Sequence, residues 1–290
     1  MSSEERPAAT LPEQREGFIV NGVQVHYRAY GSGPLIIFLH GFPDNEGTYA
    51  AQVSEFARDH LVVTPTLRGY PPSSVVKNRE AYALPVVAED IRALLDHFNA
   101  ETAIVAGHDW GGVVAQAFAL AYSERVTGLI LMNSPVLAPF IALVNSDAEQ
   151  QELSKYTLAY IEYEDGDDKN VDFVVRNIRD LHWRKTIAEY LRVSPVYGML
   201  NYYKVNYPVP PYGAAPPSDD SAFVYHMRTL ILWGLEDEYF SIKVLDGLSK
   251  WFTQSLRLVT IPRAGHWVHR DQSTIVNREI RSWLDMTRTG

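Results

Sequence analysis

Short apolar runs that alternate with amphipathic segments dominate this chain of 290 residues. Continuous apolar runs are typical of strands that are buried on both faces of a parallel sheet. Apolar residues that recur every three or four positions, as Val87, Ile91 and Leu94 do, are typical of helices. The runs predict strands at 35–39, 61–65, 102–106, 126–132, 230–233 and 256–261, and the spacing predicts helices at 48–58, 84–98, 113–120, 241–252 and 275–286.

A hairpin precedes these elements near the N-terminus. The dipeptide Asn21-Gly22 lies between two apolar segments at 18–20 and 23–27, and Asn-Gly favours the two-residue turn of a β-hairpin. The hairpin is expected to form an antiparallel edge, while the alternation that follows predicts parallel strands with right-handed crossovers. The predicted fold class is α/β, with a mostly parallel eight-stranded sheet that is flanked by helices.

The alternation breaks between residues 136 and 221, where helical segments and many tyrosines occur without an apolar strand. Such an insertion is too long for an ordinary loop, so we interpret it as a structured helical cap. The predicted organisation is therefore a loose polar tail at 1–16, the first part of the core at 17–135, the cap at 136–221 and the second part of the core at 222–290.

Composition and charge narrow the classes of function. The net charge of −9, with scattered Lys and Arg, argues against nucleic-acid binding, and the absence of cysteine excludes disulfides and cysteine–zinc sites. The polar start lacks the apolar segment of a secretory signal, and no apolar run is long enough to cross a membrane. We therefore expect a soluble, cytoplasmic protein, for which the sequence leaves a homodimer open.

One polar side chain stands at the junction between the strand at 102–106 and the helix at 113–120. The connecting segment is Gly-His-Asp-Trp-Gly-Gly, and Asp109 lies near its centre. Small residues on both sides permit a sharp strand-to-helix turn, which is the arrangement of a G-x-S-x-G nucleophile elbow. The alternative is that Asp109 serves only as the N-cap of the helix, a position that Asp favours.

An aspartate in this position changes the expected chemistry. A carboxylate is ionised at neutral pH without the help of a base, because its ordinary pKa is about 3.9. Its attack on an alkyl carbon produces an ester that water can cleave, whereas attack by a serine would leave a stable ether. Asp109 therefore favours substrates with a strained ring or a good leaving group on carbon.

An acid and a base follow the elbow in the chain order nucleophile, acid, base. Asp237 comes after a predicted strand, at the edge where ligands bind in parallel sheets, and its neighbours Glu236 and Glu238 are the alternatives. His266 follows the last predicted strand in a loop of small residues. We predict that Asp109 attacks carbon, and that His266, oriented by Asp237, activates the water that cleaves the ester.

Two backbone amides are predicted to stabilise the negative oxygen that forms during this cleavage. They belong to Trp110, directly after the nucleophile, and to Phe42, in the turn at 40–43. His40 and His108 flank the site and are expected to shape their loops. The predicted reaction requires no metal and no organic cofactor.

Five motifs together resemble the epoxide hydrolase branch of the α/β-hydrolase superfamily. The resemblance spans about residues 17–287, and it implies an α/β-hydrolase fold and the conversion of a small-molecule epoxide to a diol. It also implies that two cap tyrosines hydrogen-bond the epoxide oxygen. The motifs are, in chain order, 40–43 (His-Gly-Phe-Pro), 67–70 (Leu-Arg-Gly-Tyr), 107–112 (Gly-His-Asp-Trp-Gly-Gly), 233–237 (Trp-Gly-Leu-Glu-Asp) and 265–267 (Gly-His-Trp).

The resemblance also nominates residues of the cap and the pocket. Tyr203 is expected to be one of the two tyrosines and Tyr156 the other, with Tyr160 as the second choice for that role. Tyr202 and Tyr207 are interpreted as packing residues. The residues expected to line the substrate pocket are His40, Pro43, Tyr160, Trp183 and Trp267.

The sequence leaves three other functions open, one of which is another hydrolysis or lyase reaction on the same scaffold. A haloalkane or haloacid dehalogenase would also use Asp109, with Trp110 and the pair His182-Trp183 as donors to the halide. Against this function, Phe42 stands where haloalkane enzymes usually have Asn, and Trp110 stands where haloacetate enzymes usually have Arg. The third function is a receptor that binds a ligand on the hydrolase scaffold with little turnover.

Overall fold

The computed structural model describes residues 14–214 and 220–286, with one eight-stranded sheet at its centre. The strands are β1 Gln14–Val20, β2 Gln24–Tyr30, β3 Leu35–Leu39, β4 Leu61–Pro65, β5 Ala103–His108, β6 Val126–Met132, β7 Thr229–Gly234 and β8 Leu256–Ile261. Their spatial order is β1-β2-β4-β3-β5-β6-β7-β8; β1 and β2 pair antiparallel with their neighbours, and β3 to β8 are parallel. The predicted fold class, hairpin edge and number of strands are confirmed.

Helices of the described residues flank this sheet or lie between β6 and β7. They are α1 Ala50–Phe56, α2 Leu84–His97, α3 Trp110–Ala121, α4 Leu137–Ser146, α5 Ala148–Ser154, α6 Tyr156–Glu162, α7 Val171–Val174, α8 Leu181–Val193, α9 Tyr197–Asn206, α10 Val268–Asp271 and α11 Ser273–Asp285. Within the described ranges, no helix combines the length and the apolar content that crossing a membrane requires.

Burial on both faces explains why the central strand β3 is apolar throughout. Alternate residues of a strand point to opposite faces, so Ile36 and Phe38 of β3 join one core while Leu35, Ile37 and Leu39 join the other. Helices α2 and α3 cover the second core, and α1 and α11 cover the first. Full burial of such a side chain stabilises the fold by about 1.5–3 kcal/mol.

The segment 241–252 was predicted as one helix, and this prediction is wrong. It forms two short 3₁₀ helices, Ile242–Leu245 and Leu248–Trp251. Between them Asp246 is extended and Gly247 has a φ of 63°, which is a conformation that ends a helical run. The apolar spacing alone could not reveal this break, because it reports burial and not backbone continuity.

The boundary of the N-terminal tail also differs from the prediction. Strand β1 begins at Gln14, so the last three residues of the expected tail at 1–16 belong to the sheet. Residues 1–13 of that tail, 215–219 of the expected cap and 287–290 of the expected core lie outside the described residues.

The helices α4 to α9 lie between β6 and β7, where the cap was predicted. Aromatic side chains join them to the sheet domain: the Tyr202 hydroxyl donates to the Arg68 carbonyl at 3.0 Å, and the Tyr190 hydroxyl donates to the Pro71 carbonyl at 2.8 Å. Both carbonyls belong to the loop after β4. These helices therefore cover the edge of the sheet at which the parallel strands end.

Candidate active site

Asp109 occupies the tight turn between β5 and α3. Its backbone has φ 51° and ψ −125°, a combination that L-residues rarely adopt and that costs on the order of 1–3 kcal/mol. It stands at the N-cap position of α3, but its side chain makes no capping hydrogen bond to the helix. The strained turn instead directs the carboxylate away from α3 and toward the loop after β3.

Two glycines allow this turn to approach its surroundings. A Cβ atom at Gly41 would collide with the Asp109 carboxylate, and a Cβ atom at Gly111 would collide with the backbone of Leu39 and His40. The backbone contact at Gly111 leaves no room for any side chain, so glycine is required there. The carboxylate of Asp109 can therefore lie directly against the loop after β3.

The two carboxylate oxygens of Asp109 have different neighbours. Oδ1 accepts a hydrogen bond from the Phe42 amide at 2.8 Å, and Oδ2 lies 3.7 Å from Nε2 of His266. The Trp110 amide is at the first position of α3, where a helix provides no acceptor for it. The carboxylate is thus fixed by one amide and faces one imidazole.

His266 lies beside Asp237, the acid that the sequence predicted to orient it. Its Nδ1 lies 2.9 Å from Oδ2 of Asp237, and the ring is almost fully buried. The neighbouring carboxylates point elsewhere: Glu236 accepts from Arg179 at 2.9 Å, and Glu238 lies 3.5 Å from the same guanidinium. The geometry therefore selects Asp237 among the three acidic residues.

Asn133 is a residue of the site that sequence reasoning missed. Its Nδ2 donates to Oδ2 of Asp237 at 2.6 Å, while its Oδ1 accepts from the Gly234 amide at 2.8 Å. The Tyr239 amide donates to the other oxygen of Asp237 at 2.8 Å. Asn133 directly follows β6, and this position at the carboxyl edge of the sheet was the available signal.

The charge of His266 is coupled to both aspartates. Burial of the ring lowers the pKa of His266, but the carboxylates of Asp237 and Asp109 outweigh this effect and raise it from 6.5 to about 10. In this state of the protein the imidazole is therefore protonated at neutral pH. Removal of either negative charge would lower the pKa again.

Three cap tyrosines face Asp109 across a small pocket. Tyr156 and Tyr160 of α6 and Tyr203 of α9 line it together with Asp109 and His266, and we call this space the catalytic pocket. Its volume of about 10 Å³ is close to that of one water-sized sphere. Pro43 and Trp267 also line the catalytic pocket, as predicted.

The tyrosines differ in their surroundings. Burial raises the pKa of Tyr156 and of Tyr203 well above the ordinary value, so both hydroxyls stay protonated. Tyr160 lies beside Arg176, although burial raises the pKa of its hydroxyl as well. Tyr156 and Tyr203 share a second cavity with Asp109, whereas Tyr160 does not line that cavity.

This second cavity lies on one side of the catalytic pocket and has a volume of about 130 Å³. We call it cavity A. Its walls are mainly apolar side chains of α3, α4 and the segment after α9, among them Val113, Leu137, Phe140, Ile141 and Pro208.

A third cavity, of about 170 Å³, lies under α6, α7 and α8, and we call it cavity B. Its walls include Phe42, Ala159, Tyr160, Val174, Val196 and Leu200.

Two of the predicted pocket residues do not line any of these three spaces. The Trp183 indole donates to Oδ1 of Asp44 at 2.7 Å, so this side chain ties α8 to the loop after β3. His40 is fully buried, and its Nε2 accepts from the Leu67 amide at 3.0 Å. Neither His40 nor Trp183 lines these three spaces, and the loop-shaping role expected of His40 agrees with its contacts.

Within the described residues, one buried group has the composition of a metal site. One ligating atom each from Asp44, His108 and His269 lies within 4.8 Å of the others. However, Asp44 already accepts hydrogen bonds from two indoles and the Thr48 hydroxyl. His108 Nε2 lies 3.0 Å from the His266 carbonyl. These contacts hold the loop of His266 against the elbow.

Comparison with known proteins places this geometry in a family. A family model described as the alpha/beta hydrolase fold matches residues 34–272. The crystal structure of Bacillus megaterium epoxide hydrolase in complex with an inhibitor is 26% identical, with a TM-score of 0.82, and the match covers 93% of this chain and 100% of that chain.

Two vertebrate proteins are similar in sequence. Epoxide hydrolase 3 of Xenopus tropicalis is 27% identical over 282 residues, which are 91% of this chain and 75% of the relative. Epoxide hydrolase 4 of Homo sapiens is 27% identical over 287 residues, which are 91% of this chain and 76% of the relative. The chain therefore belongs to the α/β-hydrolase fold family, on the branch that these epoxide hydrolases occupy.

Proposed function

We propose that this protein is an epoxide hydrolase that converts an epoxide to a vicinal diol through an ester on Asp109. The observation that carries the proposal is the catalytic pocket, in which the elbow carboxylate, the cap tyrosines and His266 meet. A nucleophile for carbon, donors for the ring oxygen and a base for water thus surround one point. The relatives that are named epoxide hydrolases support the same activity.

In the first step, Oδ2 of Asp109 attacks a ring carbon from the side opposite to its bond with the ring oxygen. Oδ1 is held by the Phe42 amide, which leaves Oδ2 as the oxygen free to attack. As the new C–O bond forms, the ring C–O bond breaks and its electron pair moves to the ring oxygen. That oxygen takes a proton from the hydroxyl of Tyr156 or Tyr203, which face Asp109 across the pocket.

Ester formation removes the negative charge of Asp109, and this change prepares the second step. The charge of Asp109 helps to hold the pKa of His266 at about 10, so its loss lowers that pKa toward neutrality. His266 can then release its proton, which replaces the proton that the tyrosine gave to the ring oxygen, and act as the base for water, while Asp237 stabilises the imidazolium that forms again. The same side chain is therefore charged before the first step and basic after it.

The hydroxide that His266 generates from water attacks the ester carbon. When the tetrahedral intermediate collapses, the bond from this carbon to Oδ2 breaks, and Oδ2 leaves in the diol with the proton of the added hydroxyl, so that Asp109 is again a carboxylate. Before this collapse the negative charge falls on Oδ1. This oxygen already accepts from the Phe42 amide at 2.8 Å, and the Trp110 amide is the second proposed donor. A preorganised donor of this kind contributes about 2.7–4 kcal/mol to transition-state stabilisation in related chemistry. No step requires a metal or an organic cofactor, so we expect a chelator to leave the activity unchanged.

Two features favour an epoxide over an alkyl halide. The groups that face the nucleophile are tyrosine hydroxyls, which can give a proton to an oxygen leaving group. The indole of Trp183, which a dehalogenase would offer to the halide, is bonded to Asp44 instead. A proton donor is needed by an epoxide oxygen, whereas a halide leaves without one.

Trapping of the ester tests the proposal. The variant His266→Gln keeps Asp109 but lacks the base, so we expect one equivalent of styrene oxide to remain bound to the protein by intact-mass spectrometry. The matched control is Asp109→Asn with His266 retained, which should show no adduct and no diol. An unmodified mass in a folded His266→Gln variant that has lost diol formation would contradict the ester.

A further inference from the structure

One arginine of the cap contacts both loops that carry the acid and the base of the site. Arg179 lies in the segment between α7 and α8, whereas Asp237 follows β7 and His266 follows β8. The Arg179 guanidinium donates to the Glu236 carboxylate at 2.9 Å and lies 3.5 Å from the carboxylate of Glu238. These two residues flank Asp237, so Arg179 joins the cap to the loop of the acid.

The same guanidinium lies against the loop of the base. Nε of Arg179 is 3.7 Å from Oδ2 of Asp271, and that oxygen accepts from the Gly265 amide at 2.8 Å. Gly265 directly precedes His266, and a Cβ atom on it would lie only 2.9–3.1 Å from the guanidinium. Because glycine has no Cβ atom, the guanidinium can lie directly on the backbone that leads into His266.

The two loops also contact each other. The Glu236 amide donates to the Ala264 carbonyl at 2.8 Å, and a Cβ atom at Gly234 would collide with the same carbonyl. Oδ2 of Asp237 and Nδ1 of His266 are held 2.9 Å apart by this arrangement. A cap residue that contacts both loops can therefore fix their relative position, and with it the orientation of the imidazole.

The charge of Arg179 strengthens this link. Burial raises the pKa of Asp271, and the hydrogen bond from the Gly265 amide and the charge of Arg179 act against this rise. Loss of that charge would favour protonation of Asp271, and a protonated carboxyl accepts the hydrogen bond from Gly265 more weakly than a carboxylate does. Arg179 therefore keeps Asp271 in the form that holds the loop of His266.

We propose that Arg179 is a positioning residue for hydrolysis of the ester, and that it acts through the loops of Asp237 and His266. The proposal rests on the proposed function, because that function assigns His266 to the second step. Ring opening uses Asp109 and the cap tyrosines but no base, so its rate should not depend on Arg179. Partly exposed ion pairs stabilise a fold only slightly, so the loss of Arg179 should change the rate of hydrolysis and not the folding of the protein.

A single turnover of styrene oxide with rapid quenching measures the two steps separately. In Arg179→Gln we expect hydrolysis of the ester to slow by about 10–100-fold, since a small displacement of a catalytic group can have an effect of this size. Ring opening should keep its wild-type rate. We also expect the midpoint of the pH–rate profile of hydrolysis to rise, because removal of a nearby positive charge favours the protonated form of His266.

The groups around His266 allow this shift of the midpoint to be assigned. Of the neighbouring carboxyl groups, Asp109 is esterified in this step, so Asp237 and Asp271 are the ones that carry charge. Three other titratable groups near the ring stay neutral between pH 6 and 9, because burial lowers the pKa of two histidines and raises that of a tyrosine. They are His108, His269 and Tyr239.

Two further variants separate positioning from a general effect on the cap. Arg179→Lys retains the charge, so it should restore the midpoint and part of the rate of hydrolysis. The matched control is Arg79→Gln, which breaks another ion pair between the sheet domain and the cap, at 2.7 Å from Glu164 and outside both loops. This variant should leave both steps and the midpoint unchanged.

Three results would contradict these expectations. A wild-type rate of hydrolysis and a wild-type midpoint in Arg179→Gln would overturn the assignment of Arg179 and leave the proposed function intact. Equal slowing of ring opening and hydrolysis in Arg179→Gln would also overturn it, because Arg179 would then act on the whole cap and not on His266. A wild-type protein that forms the diol without any ester would instead refute the proposed function.

Discussion

At the scale of single residues, the site depends on a strained backbone conformation at Asp109 that the surrounding structure maintains. Asp109 is held at φ 51° between β5 and α3, and the Phe42 amide at 2.8 Å fixes one of its oxygens. Strain of this kind persists only where the surrounding structure enforces it. The result is a carboxylate that faces the cap and that His266 can reach without any rearrangement of the chain.

The cap tyrosines provide a prediction at this scale. Tyr156→Phe and Tyr203→Phe each remove one proton donor for the ring oxygen, so we expect ring opening to slow by about 10²–10⁴-fold while hydrolysis of the ester changes little. Single-turnover kinetics with rapid quenching separates the two steps. Equal slowing of both steps would show that these hydroxyls have another task.

The matched control for Tyr203→Phe is Tyr202→Phe, because both residues belong to α9. The Tyr202 hydroxyl donates to the Arg68 carbonyl at 3.0 Å and lies outside the catalytic pocket. Its loss should cost about 1 kcal/mol of unfolding free energy and leave the rate of ring opening unchanged. A slower ring opening in this variant would mean that packing, and not proton donation, explains the effect at Tyr203.

Sequence reasoning identified the residues whose role follows from their local motif. Asp109, Asp237 and His266 each follow a strand in the expected order, and the structure brings them together. Asn133 was missed because its partner Asp237 lies 104 residues away in the chain. The hydrogen bond from Trp183 to Asp44 was missed for the same reason, since it depends on the packing of α8 on the loop after β3.

At the scale of elements, the loop after β4 connects the sheet, α2 and the cap. The Arg68 guanidinium donates to Asp90 of α2 at 2.6 Å and to the Ala81 carbonyl at 2.9 Å. Both members of the ion pair are almost completely buried. The Arg68 carbonyl in turn accepts from Tyr202 of α9, so this loop positions the helix that carries Tyr203.

Breaking this pair should destabilise the protein strongly. In Asp90→Asn, the buried guanidinium loses its counter-charge, and we expect the unfolding free energy to fall by about 3–5 kcal/mol. Urea denaturation measures the change. The control is Glu189→Gln in the exposed pair with Lys185 on α8, for which we expect less than about 1 kcal/mol. Similar losses in both variants would contradict the importance of burial at Arg68.

At the scale of the whole molecule, the fold followed from the sequence because parallel strands buried on both faces must be apolar throughout. That constraint acts locally and marks the central strands, as in Leu35–Leu39, which is buried throughout. The cavities could not be predicted in the same way. Cavity A and cavity B depend on how α4 to α9 pack together, and helical spacing does not specify this packing.

The buried histidines should give the protein a stability maximum near pH 6.5. Burial lowers the pKa of His40 to about 4. The contribution of neutral His40 to the unfolding free energy is therefore complete above pH 6.5 and is lost as the pH falls through about 4. The pKa of His266 is instead raised to about 10. The contribution of protonated His266 to the unfolding free energy is therefore complete below pH 6.5 and is lost as the pH rises through about 10.

The variant His266→Gln isolates the alkaline part of this profile. We expect the difference in unfolding free energy between the wild type and this variant to shrink by about 1.4 kcal/mol per pH unit between pH 6.5 and 10. Denaturation at several pH values measures this slope. A difference that stays constant over the range would show that the imidazole is not charged in the folded protein.

The most direct test of the proposed mechanism is a single turnover in water labelled with ¹⁸O. If Asp109 is the nucleophile, the oxygen that enters the diol comes from its carboxylate, and the label enters Asp109. We therefore expect an unlabelled diol from the first turnover, together with one ¹⁸O atom in the peptide that contains Asp109 by mass spectrometry. A labelled diol from the first turnover and an unlabelled Asp109 would mean that water attacks the epoxide directly, and would contradict the account.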